Sequence, residues 1–155
     1  MKMNKYTKFL TQAAAIAAIY VVITLTFGFM GFGPVQFRIS EALTVLPYFT
    51  PAAIPGLFIG CLISNLVGSS LLDIIFGSLA TLIAAILSYK MPKKFLVPLP
   101  PVLVNAIVVP IILKITMNAP FLMSIVTVGL GQVLACYGIG YPLILLLDKN
   151  KQKIF

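Results

Sequence analysis

Four charged side chains stand inside or at the lips of stretches that otherwise read as apolar helices: Arg38, Glu41, Asp73 and Lys114. A charge at the centre of a membrane helix costs about 2.5 to 3.5 kcal/mol on insertion scales, so such groups pair with one another or line a polar cavity. Arg38 and Glu41 are three residues apart, and a helix that has begun by then puts them on one face, within reach of an ion pair. Two roles are open to them: mutual neutralisation at a helix start, or a Glu41 that accepts hydrogen bonds from a ligand while Arg38 orients or gates it. Asp73, in SSLLDIIFG, either complements the positive end of a helix or joins Glu41 in the same task. The amides Asn65, Asn105 and Gln132 lie in apolar surroundings, where each can bond a neighbouring helix. Converging on Glu41, they would instead make a polar pocket. The candidate substrate-binding residues are therefore Arg38, Glu41, Asn65, Asp73, Asn105 and Gln132.

The chemistry these groups offer is recognition. The chain has no His, no C-x-x-C, no G-x-x-x-x-G-K-[ST] loop and no G-x-S-x-G. No catalytic residue, metal site or cofactor is expected, and an ATP-driven step would belong to another subunit. Cys61 and Cys136 both lie in apolar helices, where a free thiol behaves as a small hydrophobe.

The elements that must position these residues are apolar helices. The composition is 61% hydrophobic with a mean hydropathy of +1.11, and uncharged runs cover 9–37, 42–72, 74–89, 95–113 and 115–147. A spanning helix needs about 20 mostly apolar residues, so an all-α integral membrane protein is expected, folded as one domain over 1–155. The first helix is predicted from Lys8 to Phe29, ended by the glycine-rich FGFMGFGP (27–34). A short second segment follows at 39–49, then a third helix from about Pro55 to Gly68–Ser70. The remaining three are expected at Leu71–Tyr89, Pro98–Thr116 and Pro120–Leu147. Lys2, Lys5 and Lys8 before an apolar run resemble a secretory signal, but the run continues to Phe37 and reads as a retained helix.

The net charge of +8 is explained by topology and not by a nucleic-acid partner. Nine lysines fall in three clusters outside the apolar runs: Lys2, Lys5 and Lys8; Lys90, Lys93 and Lys94; Lys149, Lys151 and Lys153. Eleven α-helical residues at 39–49 reach only about 17 Å, yet if they cross the membrane all three clusters share the cytoplasmic side, as the positive-inside rule requires. Six crossings with both termini inside follow. Arg38, Asp73 and Lys114 then lie near the outer face, with Glu41 about a turn deeper.

Small residues recur at four-residue spacing in Ala13/Ala17, Ala14/Ala18 and Gly56/Gly60/Ser64/Gly68. Such rows let helix backbones approach closely. Packing within the bundle accounts for the glycine row, whereas the alanines at the cytoplasmic end of the first helix are open to a second protein as well.

At this point the segments GPVQFRISEALTVLPYF (33–49), AIPGLFIGCLISNL (53–66), LLDIIFGSLATLIAA (71–85), PPVLVNAIVVP (100–110) and VGLGQVLACYGIGYPL (128–143) resemble, in order, the QueT family. These are substrate-capture subunits (S components) of energy-coupling factor transporters, associated with queuosine precursors. The resemblance implies a six-transmembrane-helix bundle in the bacterial cytoplasmic membrane, N-in and C-in, in contact with lipid. Its site would open outward and be closed by the loops after the first and third helices. It also implies docking onto a transmembrane scaffold that carries two ATPase subunits, with Ala13, Ala14, Ala17 and Ala18 at the partner-binding positions. The implied ligand is pre-queuosine 1, a 7-aminomethyl-7-deazaguanine, whose N–H edge and cationic amine suit carboxylates and amides. Where the family pattern often has an acid after VGLG, this chain has Gln132, which keeps an acceptor and loses a charge.

Three other readings remain at this stage. A solitary carrier or channel is disfavoured by the brevity of the chain and its lack of internal repeats. A small intramembrane transferase would use Glu41 and Asp73 as acid and base but lacks a visible second-substrate site. A purely structural bundle would not need buried charges.

Overall fold

The computed structural model describes residues 4–31 and 37–154. The glycine-rich piece beyond Gly31, Gly33 included, and Lys2 lie outside them. Helix α1 (Lys5–Thr26) is followed by a four-residue turn, α2 (Gly28–Gly31). Then come α3 (Ile39–Tyr48), α4 (Ala53–Gly68) and α5 (Asp73–Tyr89), whose first turn is π-helical. A 3-10 turn at Lys94–Leu96 leads into α6 (Leu99–Met117), and α7 (Phe121–Asn150) continues helical to Ile154. No strand occurs among the described residues. The six expected helices are all present. Three stretches, Lys5–Thr26, Lys94–Met117 and Phe121–Asn150, are long and apolar enough to cross a membrane, while α4 and α5 are apolar but shorter. The surface of the bundle is studded with exposed Leu, Ile, Val and Phe, as suits helices that meet lipid.

The first helix differs from expectation by ending at Thr26, with the Phe27 N–H still bonded to the Ile23 carbonyl at 3.1 Å. The larger difference is α3, a 3-10 helix of 10 residues and not an α-helix. Pro47 inside it can donate no bond to the carbonyl four residues back, and its ring crowds that carbonyl. The Thr44 hydroxyl bonds the Glu41 carbonyl three residues back. At about 2.0 Å rise per residue a 3-10 helix is longer than an α-helix of the same length. The segment therefore reaches about 20 Å where the α-helical reading gave about 17 Å.

Helix α3 lies at the centre of the bundle, with Ser40, Glu41, Ala42, Thr44, Val45, Leu46 and Pro47 all buried. Helix α1 packs on α4 across glycines. A Cβ added at Gly56 would stand 2.7 Å from the Ala13 carbonyl oxygen, and one at Gly60 would stand 2.9 Å from Tyr20 Cβ. Only glycine allows this approach, and it drives Tyr20, with 0% exposure, toward α3. Thr24 on the same face of α1 is 2.7 Å from Ser40 Oγ of α3.

One end of the bundle gathers the lysine-bearing segments. The Thr50 hydroxyl donates to Gln12 Oε1 at 3.0 Å, Ser88 Oγ donates to the Val97 carbonyl at 2.9 Å, and Lys94 Nζ meets Asp148 Oδ2 at 2.6 Å. Between that end and Glu41 the interior is apolar, filled by Val45, Phe49, Val97 and Ile144 and by Ile16, Leu46 and Leu57.

Because overpacking a fixed backbone contact costs about 1 to 3 kcal/mol, Gly60→Ala is expected to lower thermal stability in detergent, read as the temperature at which the monodisperse peak is lost. Gly129→Ala, whose Cβ would find its nearest neighbour at 3.8 Å, should leave that temperature unchanged or raise it. Equal losses in both variants would remove the α1–α4 contact from its structural role.

Candidate functional site

Glu41 enters the middle of the bundle from the first turn of α3 and is 1% exposed. Its two oxygens are held separately. Tyr20 Oη of α1 donates to Oε1 at 2.6 Å, and Asn105 Nδ2 of α6 donates to Oε2 at 3.1 Å. A buried carboxylate without such donors would carry the full cost of its desolvation. The π-helical stretch of α7, Leu134–Gly140, brings Cys136 against the same turn, its Sγ 3.5 Å from the Glu41 carbonyl and 3.6 Å from Gln132 Oε1. Glu41, Asn105 and Gln132 thus converge from three helices.

Arg38 precedes α3 with extended backbone, φ −107° and ψ 104°, so the helical i, i+3 geometry does not apply to it. The guanidinium pairs with Asp73, Nη2 to Oδ2 at 2.8 Å, with both side chains buried. Arg38 Nε also donates to the Gly31 carbonyl at 3.4 Å. Asp73 reaches inward because the first turn of α5, Asp73–Gly77, is π-helical, which adds a residue to the turn and re-aims its side chains. A Cβ at position 77 would collide with the Asp73 carboxylate, so glycine is required there. The amide of Asn65 donates to the Asp73 carbonyl at 3.0 Å and to Ser78 Oγ at 3.4 Å, while its oxygen accepts from Ser69 at 3.3 Å.

These groups enclose a cavity of about 10 Å³ lined by Arg38, Glu41, Gly77, Thr81, Asn105, Val109, Val128 and Gln132. That is about one water's worth of space. A second cavity, of about 40 Å³, lies toward the end of the bundle remote from the lysine clusters, between Gly68, Ser69, Ser70 and Asp73 on one side and Ile112, Leu113, Thr116 and Met117 on the other. The inner chamber offers one cation, one carboxylate and two amides between two valine walls. That set suits recognition of a flat, hydrogen-bonding heterocycle.

The profile of the QueT transporter family matches residues 10–149, nearly the whole chain. The chain belongs to the QueT transporter family. Membership places the chain in a family of proteins described as transporters and lends the intramembrane transferase reading no support. It is 40% identical over 85 residues to the queuosine precursor transporter QueT of Lactococcus lactis subsp. cremoris (strain MG1363), a match covering 54% of this chain and 50% of that relative. The matched region spans about half the length of the curated relative. No solved structure matches the chain.

Of the residues expected to form a QueT substrate site, the fold brings Arg38, Glu41, Asn105 and Gln132 to one chamber and sets Asp73 beside it through Arg38. Asn65 stands behind Asp73, where its amide holds the π-helical turn. Lys114, outside the candidate set, is exposed on α6, its ammonium 3.1 Å from Asn118 Oδ1, because a long cationic side chain near a helix end extends toward water. Of the four alanines, Ala13 and Ala17 are covered by Gly56 and Gly60 of α4, whereas Ala14 and Ala18 are exposed. Tyr20 was not among the sequence candidates. Its signal is its place on the Ala13, Ala17, Thr24 face of α1, where a hydroxyl on the packed side needs a partner.

Removing either member of a buried ion pair leaves an uncompensated charge and costs about 3 to 5 kcal/mol. Arg38→Gln and Asp73→Asn are each expected to lose stability on that scale, and the double variant to recover most of the loss, in chemical unfolding followed by tyrosine fluorescence. Losses that simply add would show that the two side chains are not coupled.

Proposed function

We propose that this QueT family member is the substrate-capture (S) component of an energy-coupling factor transporter, and that its ligand is a queuosine precursor, pre-queuosine 1. The observation that carries the reading is the Arg38–Glu41–Asn105–Gln132 chamber in a member of a transporter family with a relative named for queuosine precursors. A 7-deazaguanine presents ring and exocyclic N–H donors along one edge, and Glu41, Asn105 and Gln132 present acceptors between apolar walls. Both Glu41 oxygens keep a further lone pair beyond the bonds from Tyr20 and Asn105. A bicyclic base exceeds the present chamber, so binding requires the walls to part. The outer cavity beside Asp73, lined by Gly68, Ser69 and Ser70, marks the side on which they would do so.

The assembled transporter follows from the same reading. Six crossings with both termini in the cytoplasm of a bacterium are supported by the gathering of lysine-bearing segments at one end of the bundle, where Lys94 bridges to Asp148. Docking on a transmembrane scaffold with two ATPase subunits is supported by an open apolar groove along α1 and α4, lined by Leu10, Ala14, Ala18, Val22, Ile59 and Ile63 among others. All four alanines line that groove, with Ala14 and Ala18 its exposed members and Ala13 and Ala17 also packed on α4. The isolated chain binds without hydrolysing ATP and without altering its ligand.

Glu41→Gln replaces a charged acceptor with a neutral one and turns an amide N–H toward Tyr20 or Asn105, which are themselves donors. Hydrogen bonds to charged groups contribute about 1.5 to 3 kcal/mol, so affinity for pre-queuosine 1 should fall about ten-fold or more. Calorimetry showing undiminished affinity would take Glu41 out of the site.

Ala14→Trp and Ala18→Trp should leave ligand binding intact while stopping uptake and co-purification with the energising subunits. Normal complex formation and uptake in both variants would return these alanines to the role of ordinary lipid-facing residues.

A further inference from the structure

The two buried carboxylates are not equivalent. Glu41 has a fixed donor on each oxygen, Tyr20 Oη at 2.6 Å and Asn105 Nδ2 at 3.1 Å, and both donors are neutral. Asp73 gives one oxygen, Oδ2, to Arg38 at 2.8 Å. Its other oxygen, Oδ1, is buried and has no hydrogen-bond partner, in a residue only 3% exposed. Buried carboxylate oxygens are almost always satisfied, and one that is not calls for a specific reason.

Position supplies that reason. Asp73 lines the outer cavity and Arg38 lines the inner chamber, so their ion pair forms a bar between the two. Gly77 lines the inner chamber and lies directly against Asp73 Oδ1. Charge points the same way. The buried set holds two carboxyl groups, Glu41 and Asp73, and one cation, Arg38. Desolvated charge favours a partner of opposite sign strongly, and a ligand with a single ammonium provides it.

We propose that the two carboxylates divide the ligand between them: Glu41 accepts from the N–H edge of the ring, and Asp73 Oδ1 receives the primary ammonium of the 7-substituent. Asp73 is then the residue that selects an aminomethyl 7-deazaguanine over one with an uncharged substituent. The inference rests on the ligand reading given above and adds to it the group that reads the charge. Arg38 shares Asp73 with the incoming ammonium, so the bar between the cavities is re-formed with the ligand behind it.

The test compares 7-aminomethyl-7-deazaguanine with 7-cyano-7-deazaguanine, which has the same ring and no ammonium, by calorimetry on the full chain in lipid nanodiscs. The wild-type chain should prefer the amine. Asp73→Asn should reduce affinity for the amine by about ten-fold more than affinity for the nitrile, as expected for loss of a charge-assisted bond. Glu41→Gln should weaken both compounds by a similar factor. Because Asp73→Asn leaves Arg38 buried without its carboxylate, the Arg38→Gln/Asp73→Asn double variant repeats the comparison without an unpaired guanidinium, with the same expectation. Equal weakening of both compounds by the Asp73 variants, or loss of discrimination in Glu41→Gln instead, overturns the assignment. A wild-type chain that binds both compounds alike overturns it too while leaving the transport reading standing. A wild-type chain that binds neither removes the ligand reading, and this inference with it.

Discussion

A guanidinium and two carboxylates held out of water in the middle of a helical bundle set the conditions that the surrounding structure has to meet. Desolvating each ion costs several kcal/mol even after relaxation. Attraction between unit charges about 4 Å apart is worth about 4 kcal/mol at an effective dielectric constant of about 20. One ion pair therefore does not offset three buried charges, and hydrogen bonds must supply the remainder. Arg38 and Asp73 neutralise each other at 2.8 Å. Glu41, left without a cation of its own, depends on the hydroxyl of Tyr20 and the amide of Asn105.

Much of the irregular backbone serves that requirement. The close α1–α4 contact across Gly60 puts Tyr20 where Glu41 can use it. The π-helical turn opening α5 swings Asp73 toward Arg38, and Gly77 and Asn65 hold the turn from inside and from behind. The 3-10 winding of α3 carries Glu41 to the level of Asn105 and Gln132 while leaving Arg38 outside the helix to reach across to Asp73. The winding of α3 and the π-helical turn of α5 border the chamber, where irregular membrane-depth backbone is tolerated because protein, and not lipid, surrounds it.

The sequence made the helices and the chamber legible to different degrees. Long uncharged runs placed all six helices within a few residues, and an isolated acid and two amides in such runs pointed to Glu41, Asn105 and Gln132 together. Arg38 was recognised, but its partner was not. The i, i+3 argument assumes a helix, and the residue precedes one. Asn65 looked the same as Asn105 because position along an apolar helix does not reveal which groups it will find across the interface. Lys114 counted as a charge near the site, yet sequence cannot say which way a flexible stem extends. Tyr20 was hidden by its own apolar bulk, for a tyrosine in an apolar helix stands out only once its neighbours on that face are known to be packed. The π-helical turns left no local signature beyond Gly77 and Gly140.

The apolar packing below Glu41 has a bearing on the membrane's barrier function. Val45, Leu46, Phe49, Val97 and Ile144 fill the bundle between the chamber and the lysine-rich end, and the chamber itself has room for about one water. A file of water molecules cannot thread such an interior, so neither protons nor small ions can leak along it. A cell can hold many idle copies of this protein without discharging the potential across its membrane.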